Sequence, residues 1–273
     1  MKPILVTTDF SPAALSAVNY AADMALALDA ALIVLHVYQV PVTVAETPMI
    51  LIPVEELEGN AENRLGELKK NLQHITSNKL DITTEARLGE VAEEIEESCK
   101  KHDPFLVIMG TTGHTALERS FFGSTTLSVV KYLNWPVLAV PKGTEYGNGI
   151  HQVGLAWDFT RTNEPIPADA ILSIVGTFGS KLHVLHVELD LAPDAGPVDA
   201  PLQQALSALN PTYHHLREPE VGKGIHSYAE KNNLDVLITL PKKHKFLDSL
   251  FNRSSTSELI EGSHIPVLCI HAE

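Results

Sequence analysis

Gly110-Thr111-Thr112-Gly113, nine further residues, and then Gly123-Ser124-Thr125-Thr126 form the constellation in this 273-residue chain whose residue types and spacing carry chemistry. Glycines without a Cβ allow a tight turn and let the backbone approach a bulky anion. Gly123 to Thr126 opens a predicted helix, whose first N–H groups and dipole favour a phosphate, and three successive hydroxyls add hydrogen-bonding capacity. The apolar run Phe105 to Met109 just before Gly110 reads as a buried strand, so the segment is a phosphate loop between strand and helix. The plain alternative is an ordinary strand-to-helix connection. Arg119, inside the loop, either reaches a terminal phosphate or is simply solvated.

Asp9 is the second residue of chemical interest. It ends the first apolar run, Ile4 to Val6, as Gly110 ends the fourth. In an open doubly wound sheet, ligands sit beyond the carboxyl ends of the strands where the winding reverses, beside strand one. A carboxylate there suits ribose hydroxyls or the amino group of a base and repels phosphates. Its structural alternative is to cap the first helix.

The elements that position these residues follow from periodicity. Ser11-Pro12 supplies an N-cap and a first-turn proline, and Leu15, Val18, Ala22 and Ala25 recur at helical spacing. Ala31 to Val37 is a continuous buried-strand run. Leu57, Ala61, Leu65, Leu68, Leu72 and Ile75 mark a second helix, about Asp81 to Ala86 a strand, and Val91, Ala92, Ile95 and Cys99 a third helix ended by Asp103-Pro104. Leu127, Val130 and Leu133 lead to a fifth strand at Pro136 to Val140. After a Pro- and Gly-containing linker at 141–149 the pattern restarts, and Ile238 to Ile270 aligns with Ile108 to Val140 at a gapless offset of 130. Unrelated domains would share alternation but not residue register, so the chain reads as a duplication: domains at 1–141 and 151–273, each a parallel α/β sheet flanked by helices. The middle helix of the second, near Leu202 to Leu209, is much the shorter.

A net charge of -14 repels a phosphate backbone and argues against nucleic acid as a partner. Two cysteines, Cys99 and Cys269, in apolar-patterned segments point to a reducing, cytoplasmic setting. The N-terminus lacks a signal-sequence pattern and no apolar stretch reaches the roughly 20 residues that span a bilayer, so no membrane partner is expected. His36 and His186 read as core histidines. His183 and His186, three apart on a strand, face opposite sides, and His214-His215 lacks acidic or thiol neighbours at ligand spacing, so no metal is expected. Lys242, Lys243, His244, Lys245 and Arg253 form a basic patch that reads as a solvated loop or as a docking site for an acidic partner.

The loop, the opening Thr7-Thr8-Asp9-Phe10-Ser11-Pro12 and the Leu35-His36-Val37 of strand two resemble the universal stress protein family, in its ATP-binding branch. The resemblance covers the first half and, more weakly, the second. It implies a five-strand sheet in the order 3-2-1-4-5, adenine nucleotide (ATP, with ADP or AMP as alternatives) held without a catalytic apparatus, and domains paired through the fifth strand. Mg2+ alongside ATP and a further homodimer stay open. Carried over by position, it implies Thr7, Asp9 and Val37 around the adenosine, Val37 through its backbone, with Met109, Gly110, Gly113, Gly123, Ser124, Thr125 and Thr126 along ribose and phosphates. In the second half, Leu240, Lys243 and Arg253 replace the three glycines, although Ser254 and Asp158 keep Ser124 and Asp9. Side chains there, and Pro241, are incompatible with the glycine geometry, so no ATP is expected in that domain by this mode.

A nucleotide-responsive stress or signalling protein is the leading expectation. Slow ATP hydrolysis or phosphotransfer, with Ser124 or Thr111 near the γ-phosphate, is the enzymatic alternative. The sequence lacks a GxxxxGK[ST] loop and an acidic metal-binding pair beyond Asp9, so no catalytic residue is assigned. A scaffold that binds no nucleotide is the third reading. A dinucleotide-binding dehydrogenase fits least, because Asp9-Phe10-Ser11-Pro12 stands where its first glycine turn belongs.

Overall fold

The computed structural model describes residues 1–40, 53–111, 124–157, 165–188, 200–241 and 263–271. Among these residues ten strands form one sheet in the order β3-β2-β1-β4-β5-β10-β9-β6-β7-β8. In the first half they are β1 Ile4–Thr7, β2 Leu32–Tyr38, β3 Ile82–Leu88, β4 Leu106–Gly110 and β5 Val137–Val140; in the second, β6 Gln152–Ala156, β7 Lys181–Glu188, β8 Thr212–Arg217, β9 Val236–Thr239 and β10 Val267–Cys269. Pairing is parallel throughout except between β5 and β10, which run antiparallel with Leu138 opposite Leu268. The architecture is α/β and doubly wound. No helix among the described residues is long and apolar enough to cross a membrane.

The internal repeat is visible in single hydrogen bonds. Val107 N–H donates to Pro136 O at 2.9 Å, and 130 residues later Leu237 N–H donates to Pro266 O at 3.0 Å. At the other end of each half, Thr8 N–H to Leu35 O and Trp157 N–H to Leu185 O are both 2.9 Å. The gapless offset in sequence is therefore also an offset in ladder register between the β4–β5 and β9–β10 pairs.

Helices α1 (Pro12–Ala27), α2 (Val54–Ile75), α5 (Ala168–Phe178) and α6 (Ala200–Leu206) bury one face of the sheet, and α3 (Val91–His102), α4 (Ser124–Tyr132) and α7 (Val221–Lys231) the other. α1 lies close to β1 and β4 because its buried stripe is largely alanine, Ala13, Ala14, Ala17, Ala21, Ala22 and Ala25. α2 has 22 residues and its counterpart α6 has 7, continued by a short 3-10 turn, Ser207–Leu209. α3 stops where Asp103 turns left-handed at φ 45 just before Pro104, which cannot continue a helix. Cys99 and Cys269 are both buried, and burial pushes the Cys99 thiol up to about 12.

The edge strand β3 is tied to α3 by one carboxylate. Glu85 accepts from Lys101 Nζ at 2.5 Å, His102 Nε2 at 2.7 Å, Ser98 Oγ at 3.0 Å and Arg87 Nε at 3.3 Å. Burial by itself would raise its pKa; the hydrogen bonds from Lys101, His102 and Ser98 override this and bring it down to about 2. A carboxyl whose folded pKa is depressed contributes stability that is complete above its unfolded value near 4.5 and is lost as pH falls towards about 2. Acid unfolding followed by circular dichroism should therefore be shallower in Glu85→Gln than in the parent across that window. Identical pH profiles would remove Glu85 from the account.

Candidate functional site

The carboxyl end of β1 is shaped by side-chain-to-backbone bonds. Phe10 N–H donates to Thr8 Oγ1 and Ser11 N–H to Asp9 Oδ1, each at 2.9 Å. Ser11 is the N-cap of α1, its Oγ accepting from Ala14 N–H at 3.2 Å. Asp9 thus does not cap the helix. It is exposed at the strand end and holds the turn that leads into the cap. Within that turn Phe10 sits at φ 61, a left-handed conformation that costs a bulky residue about 1–3 kcal/mol. Its ring offsets that cost by packing on His36, 4.6 Å between ring centroids, and under the Arg64 guanidinium at 4.0 Å. His36 Nδ1 lies 2.7 Å from Thr8 O; a carbonyl only accepts, so Nδ1 carries the proton and ties the end of β2 to the turn. Burial lowers the His36 pKa, outweighing the bond to Thr8 O, which by itself raises it.

Beside β1, β4 ends at Gly110, and two helix N-termini converge on it. A Cβ at Gly110 would stand 2.9 Å from the backbone C and O of Ala13 and 3.1 Å from Ala14 N. The glycine is needed because α1 presses its first turn against the strand end; its φ is not left-handed. The sequence expectation gave Gly110 the turn and the approach of an anion; packing against α1 is a further task that it did not name. On the other side, Thr126 of α4 is buried and donates its hydroxyl proton to Gly110 O at 2.9 Å. That bond latches the first turn of α4 to the end of β4. The N–H groups of that turn have no partner within the helix, and Gly123 before it has no side chain to cap them.

The positions read from sequence gather here as follows. Strand alternation puts Thr7 with Leu5, Met109 with Val107 and Val37 with Leu35, all on the α3 and α4 face. Met109 is buried, whereas Thr7 and Val37 are half-buried at their strand ends. Gly110 and Thr126 are joined directly, Thr125 is exposed on the same turn and Ser124 opens α4. Gly113 and Gly123 lie outside the described residues, as do Arg119, Asp158, Lys243, Arg253, Ser254 and the basic patch. Phe10 and Arg64 were given no role in the sequence, and His36, read there as a core histidine, is half-buried at the turn. Arg64 lies on α2, beyond residues 41–52, and no local spacing announces its stacking on Phe10.

The second half differs at the matching strand end. Leu240 stands where Gly110 stands, is 7% exposed and joins the core on the α5 and α6 face. One device is kept: His186 Nδ1 lies 3.2 Å from Trp157 O, the counterpart of His36 and Thr8.

Comparisons with known proteins agree with the fold. A model described as the universal stress protein family matches residues 1–141. A universal stress protein of Methanocaldococcus jannaschii is 34% identical over 146 residues, covering 52% of this chain and 82% of the relative. One from Mycolicibacterium smegmatis is 31% identical over 201 residues, 71% of this chain and 67% of the relative, so the similarity runs past residue 141. A crystal structure of a universal stress protein from Archaeoglobus fulgidus superposes with a TM-score of 0.72 at 19% identity, covering 99% of this chain and 96% of that one, a likeness of fold.

Proposed function

This chain belongs to the universal stress protein family, and from that premise we propose that it binds one adenine nucleotide at the carboxyl ends of β1 and β4 and acts as a nucleotide-responsive stress or signalling module. The observation that carries the reading is the latch from Thr126 Oγ1 to Gly110 O at 2.9 Å. It holds the first turn of α4, whose leading N–H groups have no partner within the helix, beside the strand end where Asp9 emerges, and in this reading those donors meet the phosphates while Asp9 accepts from ribose or base. In this reading Thr7, Asp9 and the Val37 backbone surround the adenosine, with Met109 beneath it. Gly110, Gly113, Gly123, Ser124, Thr125 and the backbone of Thr126 follow the ribose and phosphates, and Mg2+ accompanies ATP at the phosphates.

The binding unit is residues 1–141. Residues 151–273 form a second unit of the same fold with a degenerate loop, which pairs with the first through β5 and β10 and takes no nucleotide by this mode, because Leu240, Lys243 and Arg253 replace the three glycines. The module works in the cytoplasm.

Heat extraction of the purified chain followed by mass spectrometry should release adenine nucleotide at up to one molecule per chain. Single-turnover incubation with labelled ATP should show stoichiometric retention of the triphosphate. Steady product release would favour the enzymatic alternative, and no nucleotide in the extract together with none bound in titration would favour a scaffold.

A further inference from the structure

At the far edge of the sheet, β7 and β8 bring together side chains that the nucleotide reading does not use. The strands are parallel, with His183 opposite Thr212 and Leu185 opposite His214. Alternation therefore places His183, Thr212 and His214 on one face, the face covered by α7, from which Tyr228 reaches the same point. His186 and His215 form a separate pair on the opposite face. The pairing that matters crosses strands, which is why the three-residue spacing of His183 and His186 gave no sign of it.

One lone pair stands at the centre. His183 Nε2 lies 2.8 Å from Gln152 Oε1, and the main chain of Gln152 is held by its backbone N–H, which donates to Asp235 Oδ2 at 2.8 Å. An amide oxygen only accepts, so Nε2 carries the ring proton and Nδ1 presents its lone pair to the cluster. Around that nitrogen, His214 Nε2, Thr212 Oγ1 and Tyr228 Oη each stand at 3.2 Å, and His214 Nε2 is 3.1 Å from Thr212 Oγ1. Hydrogen bonds serve part of this set, since Thr212 Oγ1 also faces His214 Nε2 and, at 3.5 Å, Leu182 O. A cation would engage all four atoms at once, and these separations match: ligands at about 2.0–2.1 Å around a tetrahedral ion stand roughly 3.3 Å apart.

We infer that His183 Nδ1, His214 Nε2, Tyr228 Oη and Thr212 Oγ1 form a binding site for a divalent transition-metal ion of the Zn2+ class. Two imidazoles select such an ion over Mg2+ or Ca2+, which take oxygen ligands. Gln152 supplies the outer contact that fixes the tautomer of a metal-bound histidine. β8 is the edge strand and Thr212 is exposed, so the ion enters from solvent. No three His, Cys, Asp or Glu side chains cluster for a metal among the described residues; this site completes its shell with hydroxyl oxygens, a ligand type outside the acidic and thiol partners on which the expectation of no metal rested. The site is independent of the nucleotide site.

The test is titration of the metal-free, full-length chain with Zn2+ and, for its visible spectrum, Co2+. One site per chain with a tetrahedral Co2+ spectrum is expected. His183→Gln and His214→Gln should each weaken it by well over tenfold, and Gln152→Leu by about tenfold. Tyr228→Phe, which keeps the ring, should weaken it and alter the Co2+ spectrum, while His215→Ala on the opposite face leaves both unchanged. Circular dichroism establishes that each variant is folded. Tight binding that survives both His183→Gln and His214→Gln, loss of binding in His215→Ala, or equal affinity for Mg2+ would overturn the proposal.

Discussion

Gly110→Leu is expected to destabilise the protein by about 3 kcal/mol or more, which places it in the small class of severe single substitutions. The space next to Gly110 is occupied by the backbone of Ala13 and Ala14, 2.9 to 3.1 Å from where the new Cβ would lie. Backbone in the first turn of a helix cannot swing aside as a flexible side-chain tip can. α1 would have to lift from the sheet, taking with it the Ser11 cap and the Asp9 turn. The second half accommodates leucine at the matching position only because Leu240 there is part of the core. Denaturant unfolding should show the loss, with Gly110→Ala intermediate. A Gly110→Leu variant as stable as the parent would mean that α1 does not press on the strand end.

Gly123→Val should have the opposite profile: nucleotide affinity lost and stability kept. If phosphates lie on the bare amides that open α4, a branched side chain at the residue before them obstructs the approach. Losing that contact set at about 3 kcal/mol lowers affinity by roughly a hundredfold or more. Gly113→Val should behave in the same way at the other end of the loop. Calorimetry with ATP separates this effect from unfolding. Undiminished affinity in both variants would show that the loop is not the phosphate site.

These two substitutions divide what the sequence could disclose from what it could not. The duplication was legible because both halves keep one ladder register, from Val107 to Pro136 and from Leu237 to Pro266. The helix start at Ser11-Pro12 was legible because capping chemistry is local. Of the three loop glycines only Gly110 lies among the described residues, and its task beside α1 was not legible, since the pressure on it comes from a helix nearly a hundred residues away in sequence. The bond from the Thr126 hydroxyl to Gly110 O was not legible either, because spacing alone cannot supply that acceptor. Nor does any local signal report the left-handed Phe10 under Arg64, or His183 beside His214, because each pairing is set by how distant elements pack. Local chemistry can be read along the chain; the partner across the sheet or under the next helix cannot.

The central claim is that open amides in the first half alone hold the nucleotide. Titrating the full-length chain with ATP tests it most directly, alongside Gly123→Val and the double variant Lys243→Ala/Arg253→Ala. The account predicts one ATP per chain, lost in Gly123→Val and kept in the double variant. Two ATP per chain, or a single one that survives Gly123→Val and disappears with Lys243 and Arg253, would contradict it.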